Sequence, residues 1–138
     1  MFAHSRRRER AARFETGSAA VELAVLAPMV LLVLLTVVQA GLWWHTRTIC
    51  SAAAQQGVQV ARTLHGTTAD AQSAAESFLA EGSGLVTQPR ASAQVTGTRV
   101  TVRVTGDPPR LLPVPGLGTV TQVAEASKEH FTTPGDTP

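Results

Sequence analysis

The chain has 138 residues, is 43% hydrophobic but only 4% aromatic, and carries a formal net charge of +2. This length allows one small domain and one accessory element, and the few aromatic residues argue against a large aromatic core. Five arginines against two glutamates give residues 1–17 a net charge of +3, whereas residues 18–138 carry seven basic and eight acidic side chains, a net of −1. The basic character therefore belongs to the N-terminal tail. Next to an apolar segment, anionic lipid explains such a tail more simply than nucleic acid does.

An apolar segment follows the tail and is long enough to cross a membrane. Residues 23–38 contain no charged side chain, and residues 23–44 form about 33 Å of helix, against a hydrocarbon core of about 30 Å. Trp43 and Trp44 lie where an interfacial aromatic belt belongs, with Arg13 at the opposite interface. The arginine excess places the N-terminus in the cytoplasm and the chain after Trp44 outside.

The alternative to a retained anchor is a secretory signal peptide cleaved after residues 38–40. The length of the segment, the tryptophan pair beyond that point and Glu22 near its start favour the anchor. Pro28 leaves the carbonyl of Ala24 without its helical partner and predicts a bend. Ala20, Ala24 and Ala27 place small side chains on one face, as close packing of membrane helices requires.

Beyond the membrane the helical pattern continues, and we expect one helix from about residue 18 to residue 64. Its apolar positions recur at spacings of three and four, which is the pattern of an amphipathic helix; they are Ile49, Ala53, Gly57, Val60 and Leu64. A capping box with Asp70 in place of glutamate then predicts a second helix starting near Thr67. The apolar stripe of that helix comprises Ala71, Ala74, Ala75, Phe78 and Leu79.

The rest of the chain predicts strands. Residues 99–105 alternate strictly between valine and Thr or Arg, which indicates a half-buried strand. A turn at Gly97 joins it to a weaker strand over residues 91–96, and residues 119–127 supply a third. Residues 106–109 end the strong strand, and an apolar segment rich in Pro and Gly follows, residues 110–118, which either tucks under the sheet or rests on the membrane surface.

We therefore predict an α+β protein with a long N-terminal transmembrane and stalk helix and a small head of one short helix and about three antiparallel strands. The predicted division is a basic cytoplasmic leader (1–17), a transmembrane helix (18–44), its extracytoplasmic continuation (45–66), the head (67–131) and a disordered tail (132–138). So few large apolar side chains follow Gly66 that we expect the sheet to pack on the outer half of the long helix or on other subunits.

No catalytic constellation is evident. The four histidines are scattered without metal-ligand spacing, and neither a nucleophile elbow nor a phosphate-binding glycine loop occurs. We predict no enzymatic activity, no metal and no cofactor. Cys50 is the only cysteine, so it is either a small buried hydrophobe, which its Ala and Ser neighbours favour, or a thiol that pairs between chains.

Residues 17–28, Gly-Ser-Ala-Ala-Val-Glu-Leu-Ala-Val-Leu-Ala-Pro, resemble the start of the TadE-like family of pilus assembly proteins. In that family a basic leader precedes the glycine, small residues lead to Val-Glu, and a proline interrupts the apolar helix. The resemblance covers about residues 13–62, including the Ala-, Gln- and Val-rich stretch that ends at Arg62. One departure is Leu23, where relatives often have an aromatic residue.

The resemblance implies a pilin-like minor subunit or assembly factor of a Tad/Flp-type pilus or related secretion machine. A prepilin peptidase would cut between Gly17 and Ser18, leaving Glu22 as the fifth residue of the mature chain, where it would align neighbouring subunits. The implied partners are membrane lipid, the peptidase, other pilin-like subunits and Tad membrane platform proteins, without nucleic acid. The implied location is the cytoplasmic membrane, with a possible place in the pilus. The alternative is an unprocessed single-pass membrane protein whose outer domain binds an unrelated ligand or partner.

Overall fold

The computed structural model describes residues 19–82, 84–113 and 115–128, and gives residues 3–18 only as part of the first helix. Two helices precede three strands: α1 (Ala3–Ala61), α2 (Thr68–Gly82), β1 (Thr87–Val95), β2 (Arg99–Asp107) and β3 (Val120–Ser127). The predicted α+β architecture, with its long N-terminal helix, short helix and three antiparallel strands, is confirmed. The tail predicted over residues 132–138 lies outside the described residues, and the predicted division into segments stays a prediction.

The chain consists of two compact units, Met1–Val37 and Val38–Pro138. In the first unit, the described residues belong to α1 and leave most of their large apolar side chains exposed. The second unit contains the rest of α1, together with α2 and the sheet. This outer part of α1 is the central element against which α2 and the sheet are built.

The sheet is antiparallel with strand order β1-β2-β3. Val100, Val102 and Val104 of the middle strand are fully buried, while the residues between them face away from the helices, so the predicted valine face is confirmed. The predicted turn at Gly97 also holds, because the Thr96 amide donates to the Arg99 carbonyl at 2.8 Å. Both strands extend beyond their predicted bounds, and β1 begins with a bulge before Arg90.

The face of α1 that packs on the sheet differs from the predicted stripe. Ala53 and Gly57 are buried as expected, but Val60 is 36% exposed and Leu64 is 50% exposed. The buried positions instead repeat at helical spacing through small side chains; they are Thr46, Cys50, Ala53, Ala54, Gly57, Val58 and Ala61. The prediction was wrong at Val60, because a helix lying close to a sheet packs on it through small side chains, and at Leu64, because α1 ends at Ala61.

Gly57 marks the closest approach of α1 to the other elements. A Cβ atom at this position would lie 2.7 Å from the Ala71 carbonyl oxygen of α2 and 3.1 Å from a Val102 methyl group of β2. Nearer the start of the second unit, a Cβ atom at Gly106 would lie 2.5 Å from a Val86 methyl group and 3.2 Å from the Cys50 sulfur. Successive α1 contacts with β2 therefore run antiparallel, from Val102 at Gly57 to Gly106 at Cys50.

The predicted capping box at the start of α2 is confirmed. The Asp70 amide donates to the Thr67 hydroxyl oxygen at 3.2 Å, and the Thr67 amide donates to the Asp70 carboxylate at 3.0 Å. Hydrogen bonds from the Thr67 side chain and then its backbone lower the pKa of Asp70. A lowered folded-state pKa means that this capping contribution is present above the unfolded-state pKa and is lost as the pH falls through the folded-state value. Within α2, Ala71, Ala75 and Leu79 are buried, in agreement with the predicted stripe.

Gly57→Ala should destabilise the second unit although alanine favours helix. The helix propensity gain is about 1 kcal/mol, but overpacking against a backbone carbonyl costs typically about 1–3 kcal/mol. We expect the free energy of unfolding to fall by about 1 kcal/mol, measured by urea denaturation of the full chain in detergent with far-UV circular dichroism.

The matched control is Gly41→Ala in the same helix, where nothing lies within 4 Å of the added Cβ atom. This substitution should raise the free energy of unfolding by up to about 1 kcal/mol. An increase for both variants would contradict the close packing at Gly57.

Candidate membrane and subunit interface

The first unit presents an apolar helix surface that is exposed among the residues that the structure describes. Eleven large apolar side chains of the first unit are between 46% and 68% exposed; they are Val21, Leu23, Val25, Leu26, Met29, Val30, Leu31, Leu32, Val33, Leu34 and Val37. Ala19–Ala61 contains an apolar window long enough to cross a membrane, and none of that window is buried inside the protein. Such a surface needs lipid or neighbouring apolar helices around it. The helix therefore fits a single-pass membrane anchor.

The residues predicted to align and pack subunits lie on this helix. Glu22 is exposed, as are Ala20, Ala24 and Ala27, so each is available to a neighbouring helix. Alanines at these spacings share one side of the helix. α1 continues through Pro28, which lies inside it. Their roles in alignment, packing and bending stay predictions.

The predicted processing site and one interface residue fall where only the backbone helix is given. Gly17 and Ser18 lie within the bounds of α1, as does Arg13. Their side chains lie outside the described residues. Cleavage between Gly17 and Ser18 and an interfacial role for Arg13 therefore remain predictions.

Gln39 joins the start of the second unit to the Pro- and Gly-rich segment after β2. Its side chain is 1% exposed. The side-chain amide donates to the Pro109 carbonyl at 3.1 Å, and its oxygen accepts from the Leu111 amide at 2.7 Å and from the Leu112 amide at 3.3 Å. A single amide side chain thus satisfies three backbone groups about 70 residues away. Residues 109–112 of the segment are therefore attached to α1 through Gln39.

This contact extends the antiparallel packing of β2 and the chain after it toward the N-terminus of α1. β2 approaches Cys50 at Gly106, and the chain after it reaches Gln39, eleven residues earlier in α1. We call residues 108–118 the proline-rich loop. Gln39 is the first fully buried residue of α1 among those described, and its hydrogen-bond partners lie in this loop.

Sequence reasoning did not single out Gln39, although a signal was present. An amide inside a predicted membrane segment needs a hydrogen-bonding partner. A loop without regular structure also has backbone groups that need partners. The two requirements were visible separately, but only the fold brings these groups together.

The two tryptophans lie in different environments. Trp43 is half-buried against the core of the head, whereas Trp44 is 63% exposed. The Arg47 guanidinium lies 5.8 Å from the Trp43 ring centroid and 5.7 Å from that of Trp44, within the range of cation–π attraction. Beside them an open groove of about 440 Å³ extends along α1 to Gln55, with Gln122 of β3 on its other side. The interfacial role of both tryptophans stays a prediction.

Cys50 is a buried structural residue. Its side chain is fully buried in the core of the head. Burial raises the pKa of the Cys50 thiol, which lowers its thiolate fraction at neutral pH. The predicted small buried hydrophobe is therefore confirmed. Among the described residues, no group of three or more His, Cys, Asp or Glu side chains is placed to share a metal ion.

Gln39→Leu should release the proline-rich loop from α1. The substitution leaves the Leu111 and Leu112 amides without their acceptor, which costs about 1–3 kcal/mol and corresponds to roughly 5- to 150-fold faster exchange of these amides. Hydrogen exchange of the full chain in detergent micelles measures this effect. Gln55→Leu, at an exposed glutamine of the same helix, is the control and should leave both amides unchanged. Equal exchange in the two variants would contradict the assigned role of Gln39.

Comparison with known proteins gives a match that lies in the N-terminal half of the chain. The family model for TadE-like proteins matches residues 17–59, from Gly17 to two residues before the end of α1. No curated protein and no solved structure matches the chain. TadE-like proteins are structural pilus components. The match covers 43 of the 138 residues, so the chain is similar to TadE-like proteins over most of α1 after Gly17.

Proposed function

We propose that the chain is a pilin-like minor subunit or assembly factor of a Tad/Flp-type pilus or a related secretion machine. The observation that carries this proposal is the TadE-like match over residues 17–59, which begins at the glycine of the predicted cleavage site. The exposed apolar surface of the first unit supports it, because a pilin-like helix needs lipid before assembly and other helices after it. Its partners are other pilin-like subunits and the Tad membrane platform.

In this proposal a prepilin peptidase cuts between Gly17 and Ser18. Gly17 lies within the bounds of α1, and a protease needs an extended backbone at the bond that it cuts. Glycine makes local unwinding easier by about 1 kcal/mol relative to alanine. The cut also removes the five-arginine leader, which otherwise holds the helix at the cytoplasmic surface.

The new N-terminus gives Glu22 a partner. A carboxylate inside a membrane helix costs about 2.5–3.5 kcal/mol at mid-bilayer and is normally paired. Ser18 is four residues before Glu22, so its new α-amino group lies one helical turn away in the same chain. The same cation can instead pair with Glu22 of a neighbouring subunit. Either pairing neutralises both charges and fixes how far one helix slides along the next.

The test is the N-terminus of the membrane-extracted protein, expressed with and without an active prepilin peptidase. We expect a chain that begins at Ser18 only with the peptidase. Gly17→Leu should abolish cleavage, whereas Gly17→Ala, which adds one methyl group, should reduce it less. Mass spectrometry of the intact protein gives the cleaved fraction in each case.

Glu22→Gln separates processing from assembly. This variant should be cleaved normally but should not enter the pilus fraction or support pilus formation, since the amide cannot neutralise the new amino group. A chain that begins at Met1 beside an active peptidase would contradict processing. That result would favour the alternative of an unprocessed membrane protein with an outer binding domain.

A further inference from the structure

We propose that the proline-rich loop is a lipid-contacting element, lying in the interfacial layer of the membrane that α1 crosses. Leu111 and Leu117 face the acyl chains, and Arg110 binds the phosphate of a lipid headgroup. The proposal requires that residues 19–38 span the membrane. It does not depend on cleavage at Gly17 or on assembly into a pilus.

The position of Gln39 sets the depth of the loop. We place the hydrocarbon core at residues 19–38, about 30 Å of helix, because the buried residues of α1 begin at Gln39; the end of the apolar segment 23–44 then lies in the interfacial layer. The side chain of Gln39 binds the loop backbone directly. Trp43 and Trp44 lie a further turn along the helix, about 6–8 Å from Gln39. The loop backbone is therefore nearer to the apolar core than the residues predicted to mark the interface.

The side chains of the loop suit a lipid surface. Leu111 is 52% exposed, Pro113 and Pro115 are exposed, and Leu117 is half-buried. Surface loops are usually polar, so apolar side chains left outside on such a loop indicate an apolar partner.

The backbone of the loop also suits an apolar medium such as lipid, which offers few hydrogen-bond partners. Four of its eleven residues are prolines, which have no amide hydrogen that needs an acceptor. The amides of Leu111 and Leu112, together with the Pro109 carbonyl, are satisfied by Gln39. Since an unpaired backbone group is costly at membrane depth, this arrangement lowers the free-energy cost of placing the loop against lipid.

The charge of the loop suits the phosphate of a lipid headgroup. Residues 108–118 contain one arginine and no carboxylate, so the loop carries a net charge of +1. Arg110 is exposed and lines a hollow of about 320 Å³ together with Leu112 and Leu117. A cation beside apolar side chains matches the junction of headgroup phosphate and acyl chain.

Spin labels on the full chain test the depth of the loop. Leu111→Cys and Leu117→Cys, each in a Cys50→Ala background, are labelled and reconstituted in nanodiscs of phosphatidylethanolamine and phosphatidylglycerol. We expect collisions with oxygen, relative to a water-soluble nickel complex, to be several-fold more frequent than for the control. The control is Val123→Cys on the outer face of the sheet, where the native side chain is 47% exposed, close to the exposure of Leu111.

A label at Leu31→Cys reports separately whether α1 spans the membrane. One result would overturn the proposal while leaving the anchor intact. In that result the Leu31 label lies deep in the membrane, but the Leu111 and Leu117 labels are as accessible to water as the Val123 label. That outcome would point to a protein partner for the loop. If a labelled variant does not fold, doxyl lipids with the unlabelled wild-type protein give the same test. They should broaden the methyl resonances of Leu111 and Leu117 but not those of Val123, and equal broadening would overturn the proposal.

Discussion

The close approach of α1 to β2 and α2 determines how the second unit holds together. At Gly57 the backbone of α1 comes so near to Ala71 and Val102 that an additional carbon atom would collide with them. This proximity lets a helix face of small residues cover the valines of the middle strand completely. The other face of the sheet is mostly polar, and the apolar side chain of Val123 on that face is exposed. The head therefore has one thin core. Without the outer part of α1, α2 and the sheet would have too little apolar surface to bury.

One continuous helix therefore provides two different surfaces. From Val21 to Val38 most of its large apolar side chains are exposed, whereas from Gln39 onward side chains on one face are buried by the head. The change occurs where an amide side chain replaces an aliphatic one and binds the proline-rich loop. A pilin-like subunit needs this division, because one surface has to exchange lipid for neighbouring helices while the other keeps the head folded.

Patterns within single elements predicted most of the fold. Alternation placed Val100, Val102 and Val104 on one face, and the spacing of Thr67 and Asp70 predicted the cap of α2. These features depend on local periodicity and local hydrogen bonds, which the sequence displays directly. The family resemblance likewise depended on a short contiguous segment and was confirmed over residues 17–59.

Features that depend on contacts between elements were harder to predict. Val60 and Leu64 were assigned to the apolar stripe of the long helix because they continue the spacing of Ile49, Ala53 and Gly57. The helix α1 instead packs on the sheet through its neighbouring face, where small residues permit a close approach of helix and sheet. The partnership of Gln39 with Leu111 joins positions 72 residues apart, and no periodicity reports such a pair. The environment around residues 19–38 likewise depends on molecules outside the chain, which the sequence describes only through its hydrophobicity.

The central claim is that the outer half of α1 and the sheet form one cooperative unit, distinct from the membrane segment. Hydrogen exchange of the full chain in nanodiscs, followed as denaturant is added, tests this claim most directly. The amides of residues 50–61 and 100–104 should lose protection together, while those of residues 23–38 remain protected by the bilayer. The account would be contradicted if residues 50–61 stayed protected after the sheet had opened, since the helix would then be stable without the core that it is said to build.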